Sequence, residues 1–190
     1  MPPPLPYLAY GANLDAAVMA GRGVQARAKP RAVRLPNHRV VFRHRGGYAT
    51  LVEQASGDCP PAEGVLYELT DAQLDDLSRY ETGYKRAVIG QGNMVALDDG
   101  TPVPNGAVTF VSRWDVTLRC EVPPRATYLR KLQRGAQTNL LSETYRSYLA
   151  GVEALPDGTP PPPSYGDSPS ADLAKLAAAA ALTLVLGAFV

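Results

Sequence analysis

Cysteine, histidine and tryptophan are scarce in this chain of 190 residues, which has two, two and one of them. Two thiols, Cys59 and Cys120, are too few for a disulfide framework in a domain of this size, so free thiols in a reducing cytosol are expected. His38 and His44 have no cysteine pair beside them and lack the ligand spacing of a zinc site, so no metal is expected. Charge of one sign is missing too. The formal net charge of +1 gives no electrostatic case for nucleic acid. Two basic clusters, residues 31–34 and 39–45, are broken by Val, Leu, Pro and Phe, and the second reads as one face of a strand, with an anion site as the alternative. No secretory signal is visible, because Met1-Pro2-Pro3-Pro4 is neither basic nor long and apolar.

Apolar residues make up 45% of the chain, enough for a core. The first apolar segment, residues 5–10, is aromatic, stops at Gly11 and reads as a strand followed by a turn. Asn13 is placed to cap a short helix over 13–20, with Asp15 near its positive end. Further strands are predicted over 38–43, 48–53, 64–69, 86–90, 94–97 and 107–112, each bounded by Gly, Pro, Asp or Asn. Their even spacing points to a mostly antiparallel sheet or barrel. Residues 70–80 break that rhythm. Thr70 and Gln73 make a capping box, and Leu69 and Leu74 a hydrophobic staple. Two later helices are predicted over 124–134 and 139–154.

On the helix after Thr70, 3.6 residues per turn put Leu77, Ser78 and Glu81 within roughly 60° of Leu74. Asp71, Asp75, Asp76 and Arg79 fall largely on the other side. Glu81 is therefore expected on the inward face. A carboxylate buried without a partner tends toward the neutral form, which suits a general acid or base near neutral pH. The alternative is a surface carboxylate paired with Lys85 or Arg86. In the segment Tyr7-Leu8-Ala9-Tyr10-Gly11-Ala12-Asn13, consecutive backbone N–H groups at a strand-to-helix turn can bind a carboxylate. The alternative is an ordinary turn.

Y-L-A-Y-G-A-N resembles the Y-x-A-Y-G-S-N signature of the γ-glutamyl cyclotransferase and AIG2-like family. G-V-L-Y-E-L-T-D-A-Q-L-D-D-L-S-R-Y-E is similar to that family's strand and helix leading to its catalytic glutamate. P-P-R-A-T-Y-L-R-K-L-Q-R-G-A resembles its C-terminal block with a substrate-facing tyrosine. The three occur in family order, and the resemblance covers roughly residues 5–155. The resemblance implies an α+β fold, a small mixed, mostly antiparallel β-barrel with a few packed helices. It implies a carbon–nitrogen lyase that needs no cofactor and releases 5-oxoproline from a small-molecule γ-glutamyl substrate: a dipeptide, an amine or a glutathione-derived conjugate. Glu81 stands at the general acid/base. Tyr7, Leu8, Ala9, Tyr10, Gly11, Ala12 and Asn13 stand at the loop that cradles the substrate's amino-acid end, and Tyr128 at the tyrosine bordering the pocket. Ala12 departs from the usual serine, and the stretch T-G-Y-K-R after Glu81 is shorter than in many members, which leaves Tyr84 unassigned. The other reading is a non-catalytic binding or scaffold protein on the same fold. Arg125, Arg130, Lys131 and Arg134 read as a solvated helix face, with attraction of an anionic substrate such as glutathione as the alternative. The chain is expected to act as a monomer or homodimer.

Residues 156–170 are rich in proline and read as an extended linker. The tail, 171–190, is apolar from Leu176 onward except for Thr183. Fifteen residues span about 22 Å as a helix, against roughly 30 Å of hydrocarbon core. Two readings stand: a short C-terminal anchor bringing a cytoplasmic domain into membrane contact, or an apolar helix docked on the domain or a second subunit.

Overall fold

The computed structural model describes residues 6–26, 28–53 and 59–160. Among these residues eight strands run β1 (Tyr7–Ala9), β2 (Arg31–Leu35), β3 (His38–His44), β4 (Tyr48–Glu53), β5 (Ala62–Tyr67), β6 (Tyr84–Ile89), β7 (Val95–Ala96) and β8 (Ala107–Ser112). Four α-helices accompany them: α1 (Ala16–Gly21), α2 (Asp71–Ser78), α3 (Ala126–Thr138) and α4 (Glu143–Gly151). Six strands form one sheet in the order β6-β8-β1-β5-β2-β7, while β3 and β4 pair with each other. All ladders are antiparallel except β1 on β8.

The mostly antiparallel expectation holds, but the sheet is not a closed barrel. Closure needs every strand to pair on both sides. Here β6 and β7 end the sheet, and the β3–β4 hairpin joins its neighbours through isolated contacts, such as the Ser112 N–H donating to Thr50 Oγ1 at 2.9 Å. Beyond β7, Pro102 bridges to Val95 and has no N–H with which to extend a ladder.

Strand β1 sits in the middle of the large sheet, flanked by β5 and β8, and its three residues are buried. Gly64 of β5 passes so near that a Cβ there would lie 2.4 Å from the Ala9 carbonyl oxygen. After β1 the chain turns through a short 3₁₀ segment, Ala12–Leu14, into α1. The predicted cap is corrected here. Asp15, not Asn13, caps α1, accepting from Ala17 N–H at 3.0 Å, while Asn13 is buried and points elsewhere.

The capping box of α2 is present as predicted, with Thr70 accepting from Gln73 N–H and the Gln73 side chain reaching back to Thr70. The helix stops at Ser78, earlier than the phase argument assumed, and a turn carries the chain through Glu81 into β6. Gly83 takes φ +79° in that turn, a conformation that suits glycine. α3 is amphipathic, burying Leu129, Leu132, Gly135 and Ala136. It seats on the 3₁₀ segment at Gly135, where a Cβ would come within 2.5 Å of Leu14. Arg134 then forks onto the buried carboxylate of Asp15, with Nε at 2.8 Å. The chain closes at Leu155, which exchanges backbone hydrogen bonds with Pro124 and Ala126.

Residues 161–190, which hold most of the predicted linker and all of the apolar tail, lie outside the described residues. Among the described residues no helix is long and apolar enough to cross a membrane.

Candidate active site

A cavity of about 380 Å³ opens where the turn after β1, the turn after α2, the β3–β4 hairpin and α3 converge. Its size is that of a small-molecule site.

At its floor is a compact polar cluster. Asn13 Nδ2 donates to the Tyr7 hydroxyl at 2.6 Å and to Glu81 Oε1 at 3.0 Å. Arg22, at the C-cap of α1, sends Nη1 to Asn13 Oδ1 at 2.9 Å and to Glu81 Oε1 at 2.6 Å. Tyr67 pins the turn by donating to the Asn13 carbonyl at 3.1 Å. The Glu81 side chain keeps 12% exposure. Both of its donors use Oε1, and Oε2 receives no hydrogen bond from any described residue. Glu81 is thus inward-facing as expected, but it is not the unpartnered carboxylate that the phase argument supposed. Neither Lys85 nor Arg86 pairs with it; Arg86 instead binds Asp75 and Ser78. Lone carboxylate chemistry is replaced by a carboxylate held in place on one oxygen and open on the other.

The turn offers the second feature. No described residue accepts a hydrogen bond from the N–H groups of Gly11, Ala12 or Asn13, as is usual for the first residues of a helical turn. All three residues line the cavity, as Glu81 does. Such a row of donors is suited to an anionic group.

Tyrosines make much of the wall. Tyr128, on α3, accepts from Ala49 N–H at 3.1 Å, and Tyr84 donates to the Ala49 carbonyl at 2.7 Å. Tyr10 donates to the Phe110 carbonyl. Burial pushes the hydroxyls of Tyr7, Tyr10, Tyr84 and Tyr128 far up, and the Glu81 charge pushes the same way, so they remain protonated. His44 stacks on Tyr84 at 4.1 Å and 7°, with Nδ1 2.9 Å from Ser112 Oγ. Burial, helped by Arg45, lowers its pKa to about 4, so it is neutral near pH 7.

Of the residues expected at the site, Tyr7, Tyr10, Gly11, Ala12, Asn13, Glu81 and Tyr128 come together around the cavity. Leu8 and Ala9 do not. Leu8 packs in the core, and Ala9 pairs with Val65 inside the sheet. Sequence reasoning missed Arg22, His44, Tyr48, Tyr80 and Tyr84, all of which line the cavity. One signal was available. The chain holds ten tyrosines against three phenylalanines, and six of those tyrosines line this cavity. No group of three or more metal-ligating side chains occurs among the described residues.

The family model described as "Gamma-glutamyl cyclotransferase, AIG2-like" matches residues 7–129. A curated relative, the gamma-glutamyl cyclotransferase gliK of Aspergillus fumigatus, is 28% identical over 192 residues, covering 82% of this chain. The chain spans 63% of that relative's length. Two solved structures share the fold: a crystal structure of an uncharacterized human protein at 20% identity, and a gamma-glutamyl cyclotransferase at 18%. Each has a TM-score of 0.67, with 85% of this chain and 95% of the other covered.

Proposed function

Because the chain belongs to the γ-glutamyl cyclotransferase, AIG2-like family, we propose that it cyclises a γ-glutamyl amide to 5-oxoproline and a free amine, with Glu81 as the proton carrier. The observation that carries this reading is the position of Glu81. Its carboxylate is oriented by Asn13 and Arg22 in a cavity that is also lined by a turn whose N–H groups are bound by no described residue.

A γ-glutamyl amide carries its own nucleophile. Its α-amine attacks the γ-carbonyl carbon, a five-membered ring closes, and the bond to the leaving nitrogen breaks. No enzyme nucleophile is required. The α-ammonium must lose one proton before it attacks and a second as it becomes the ring amide, and the leaving nitrogen must gain one to depart and a second to become an ammonium. Glu81 Oε2 takes the first proton and delivers it to the leaving nitrogen, then takes the proton shed by the ring nitrogen and passes it to the departing amine, so two protons leave one nitrogen, two reach the other and the carboxylate ends as it began. The N–H groups of Gly11, Ala12 and Asn13 hold the α-carboxylate. Holding the chain bent supplies much of the rate, since oriented intramolecular reactions reach effective molarities of about 10⁵ M or more. Ala12 contributes through its backbone alone, so the serine usual there in the family is not needed for this contact.

Glu81→Gln preserves shape and removes the proton carrier. Release of 5-oxoproline by the purified, folded variant is expected to fall by about 10³-fold, and by at least as much in Glu81→Ala. A variant that melts like wild type and still cyclises at nearly the wild-type rate would exclude Glu81 from this role. A wild-type protein that releases no 5-oxoproline from any γ-glutamyl compound would return the fold to the non-catalytic reading.

A further inference from the structure

The cavity is lined by one carboxylate, Glu81, and two basic side chains, Arg22 and Lys131. His44 adds no charge near pH 7. The wall therefore carries one net positive charge. Arg22 is committed to Glu81 and Asn13, with its guanidinium 5.4 Å from the centre of the Tyr80 ring. The excess charge resides on Lys131.

Lys131 is unlike its neighbours on α3. Arg134 is bound to Asp15, Arg130 to Asp157, and Arg125 to the Thr159 carbonyl. Among the described residues nothing accepts a hydrogen bond from the Lys131 ammonium or pairs with it. It stands one helical turn beyond Tyr128 and shares its face of the helix. Two further lining residues are exposed rings, Tyr48 at 43% and Tyr80 at 53% exposure. The exposed part of the lining thus holds one cation and two aromatic rings.

We propose that Lys131 is a specificity-determining residue that receives a carboxylate on the leaving group, with Tyr48 and Tyr80 covering that group's apolar part. This rests on the cyclotransferase reading and narrows it. The γ-glutamyl half is zwitterionic, and the floor already supplies Glu81 for its ammonium and turn N–H groups for its carboxylate. A neutral leaving amine adds no charge and leaves Lys131 unused. An α-amino acid or peptide adds one negative charge, which matches the one positive charge of the wall. The leaving nitrogen must lie near Glu81 to regain its proton, so its substituents extend toward the mouth. The substrate class is therefore a γ-glutamyl conjugate of an amino acid or peptide, not of a neutral amine.

The test compares γ-glutamylphenylalanine with γ-glutamylphenethylamine, which differ only in the carboxylate. The wild type should favour the acid by about tenfold or more in kcat/KM, mainly through KM, and the preference should shrink as salt is raised. Lys131→Gln should remove it and Lys131→Arg should keep it. Lys85→Gln, a charge change outside the cavity, controls for net charge and should keep it as well. A preference that is absent in the wild type, or that survives Lys131→Gln, overturns the assignment while turnover of both compounds leaves the cyclotransferase reading intact. If no compound in a panel of γ-glutamyl amino acids, glutathione and γ-glutamylamines yields 5-oxoproline, that reading falls and the assignment with it.

Discussion

At the floor of the cavity Asn13, Arg22, Tyr7 and Glu81 hold one another, and Tyr67 fixes the turn that carries Asn13. At its mouth, Tyr48, Tyr80 and Lys131 stand exposed. The floor is ordered when the chain folds, so its donors need no rearrangement when charge moves. The mouth meets solvent and can change without disturbing the core. The proposed reaction divides in the same way. Its γ-glutamyl half is constant and its leaving group is variable. Substitutions in the floor should damage rate and fold together, and substitutions at the mouth should alter selection among substrates.

The sharpest way to break this contrast is Arg22→Gln. Among the described residues it leaves Glu81 with Asn13 as its one donor, and it frees one side of the Asn13 amide. Loss of the cation beside a largely buried carboxylate and drift of its position both act on the reaction. We expect kcat/KM for 5-oxoproline release to fall by about 10²-fold, the size of effect that a misplacement near 1 Å can produce. Arg22→Lys keeps the charge but not the planar fork, and should fall between the two. An Arg22→Gln protein with wild-type rates would show that the floor does not act as a unit.

Next in size is Gly135→Ala, outside the cavity but beneath its floor. The added Cβ meets the Leu14 carbonyl carbon and Cβ at 2.5 Å, and neither belongs to a flexible side-chain end. Either α3 lifts or the 3₁₀ turn shifts. Urea denaturation should show a loss of about 2–3 kcal/mol. Because α3 also carries Tyr128 and Lys131, floor and mouth should both be disturbed.

His44 lies between the two regions and gives a pH test. Burial, aided by Arg45, lowers its folded pKa to about 4 from the usual 6.5. Neutral imidazole is favoured in the fold, so the contribution is complete above pH 6.5 and is lost as pH falls toward 4. The stability difference between wild type and His44→Phe should shift against the wild type by about 2 kcal/mol between pH 7 and pH 4.5. A difference that stays constant over that range would mean His44 protonates freely in place.

Where a local signal coincided with the tertiary result, the sequence was readable. The capping box from Thr70 to Gln73 located α2, and residues 48–53 and 107–112 are strands at those limits. Strand β2 was missed because Arg31 and Arg34 mask the alternation of its buried residues Val33 and Leu35. Arg34 is tolerated there because it pairs with the buried Glu63 at 2.9 Å, across two strands. Glu81 was found by a helix phase carried three residues past the true helix end, so its inward placement owes more to the turn at Gly83 than to periodicity. Arg22 could not be found that way. Nothing in its neighbourhood marks it, and its partner lies 59 residues away. Whether the sheet closes also depends on distant edges that no window of sequence contains.

The smallest effect is expected at the mouth, and it sharpens the contrast most directly. Tyr48 is exposed, and its ring meets Tyr128 edge-on at 4.9 Å and 86°. Tyr48→Ala removes that contact, worth about 1 kcal/mol of folding stability or less. The floor keeps its hydrogen bonds, so the loss should fall on leaving groups large enough to reach the ring. KM for γ-glutamylphenylalanine should rise about threefold to fivefold, a change of about 1 kcal/mol in binding, while KM for γ-glutamylglycine should move less. Steady-state kinetics on the two compounds measures the difference. An equal rise for both would mean that Tyr48 acts by holding Tyr128 in place, making it part of the floor. A rise confined to the aromatic compound would place the boundary between the two regions at the Tyr48–Tyr128 contact.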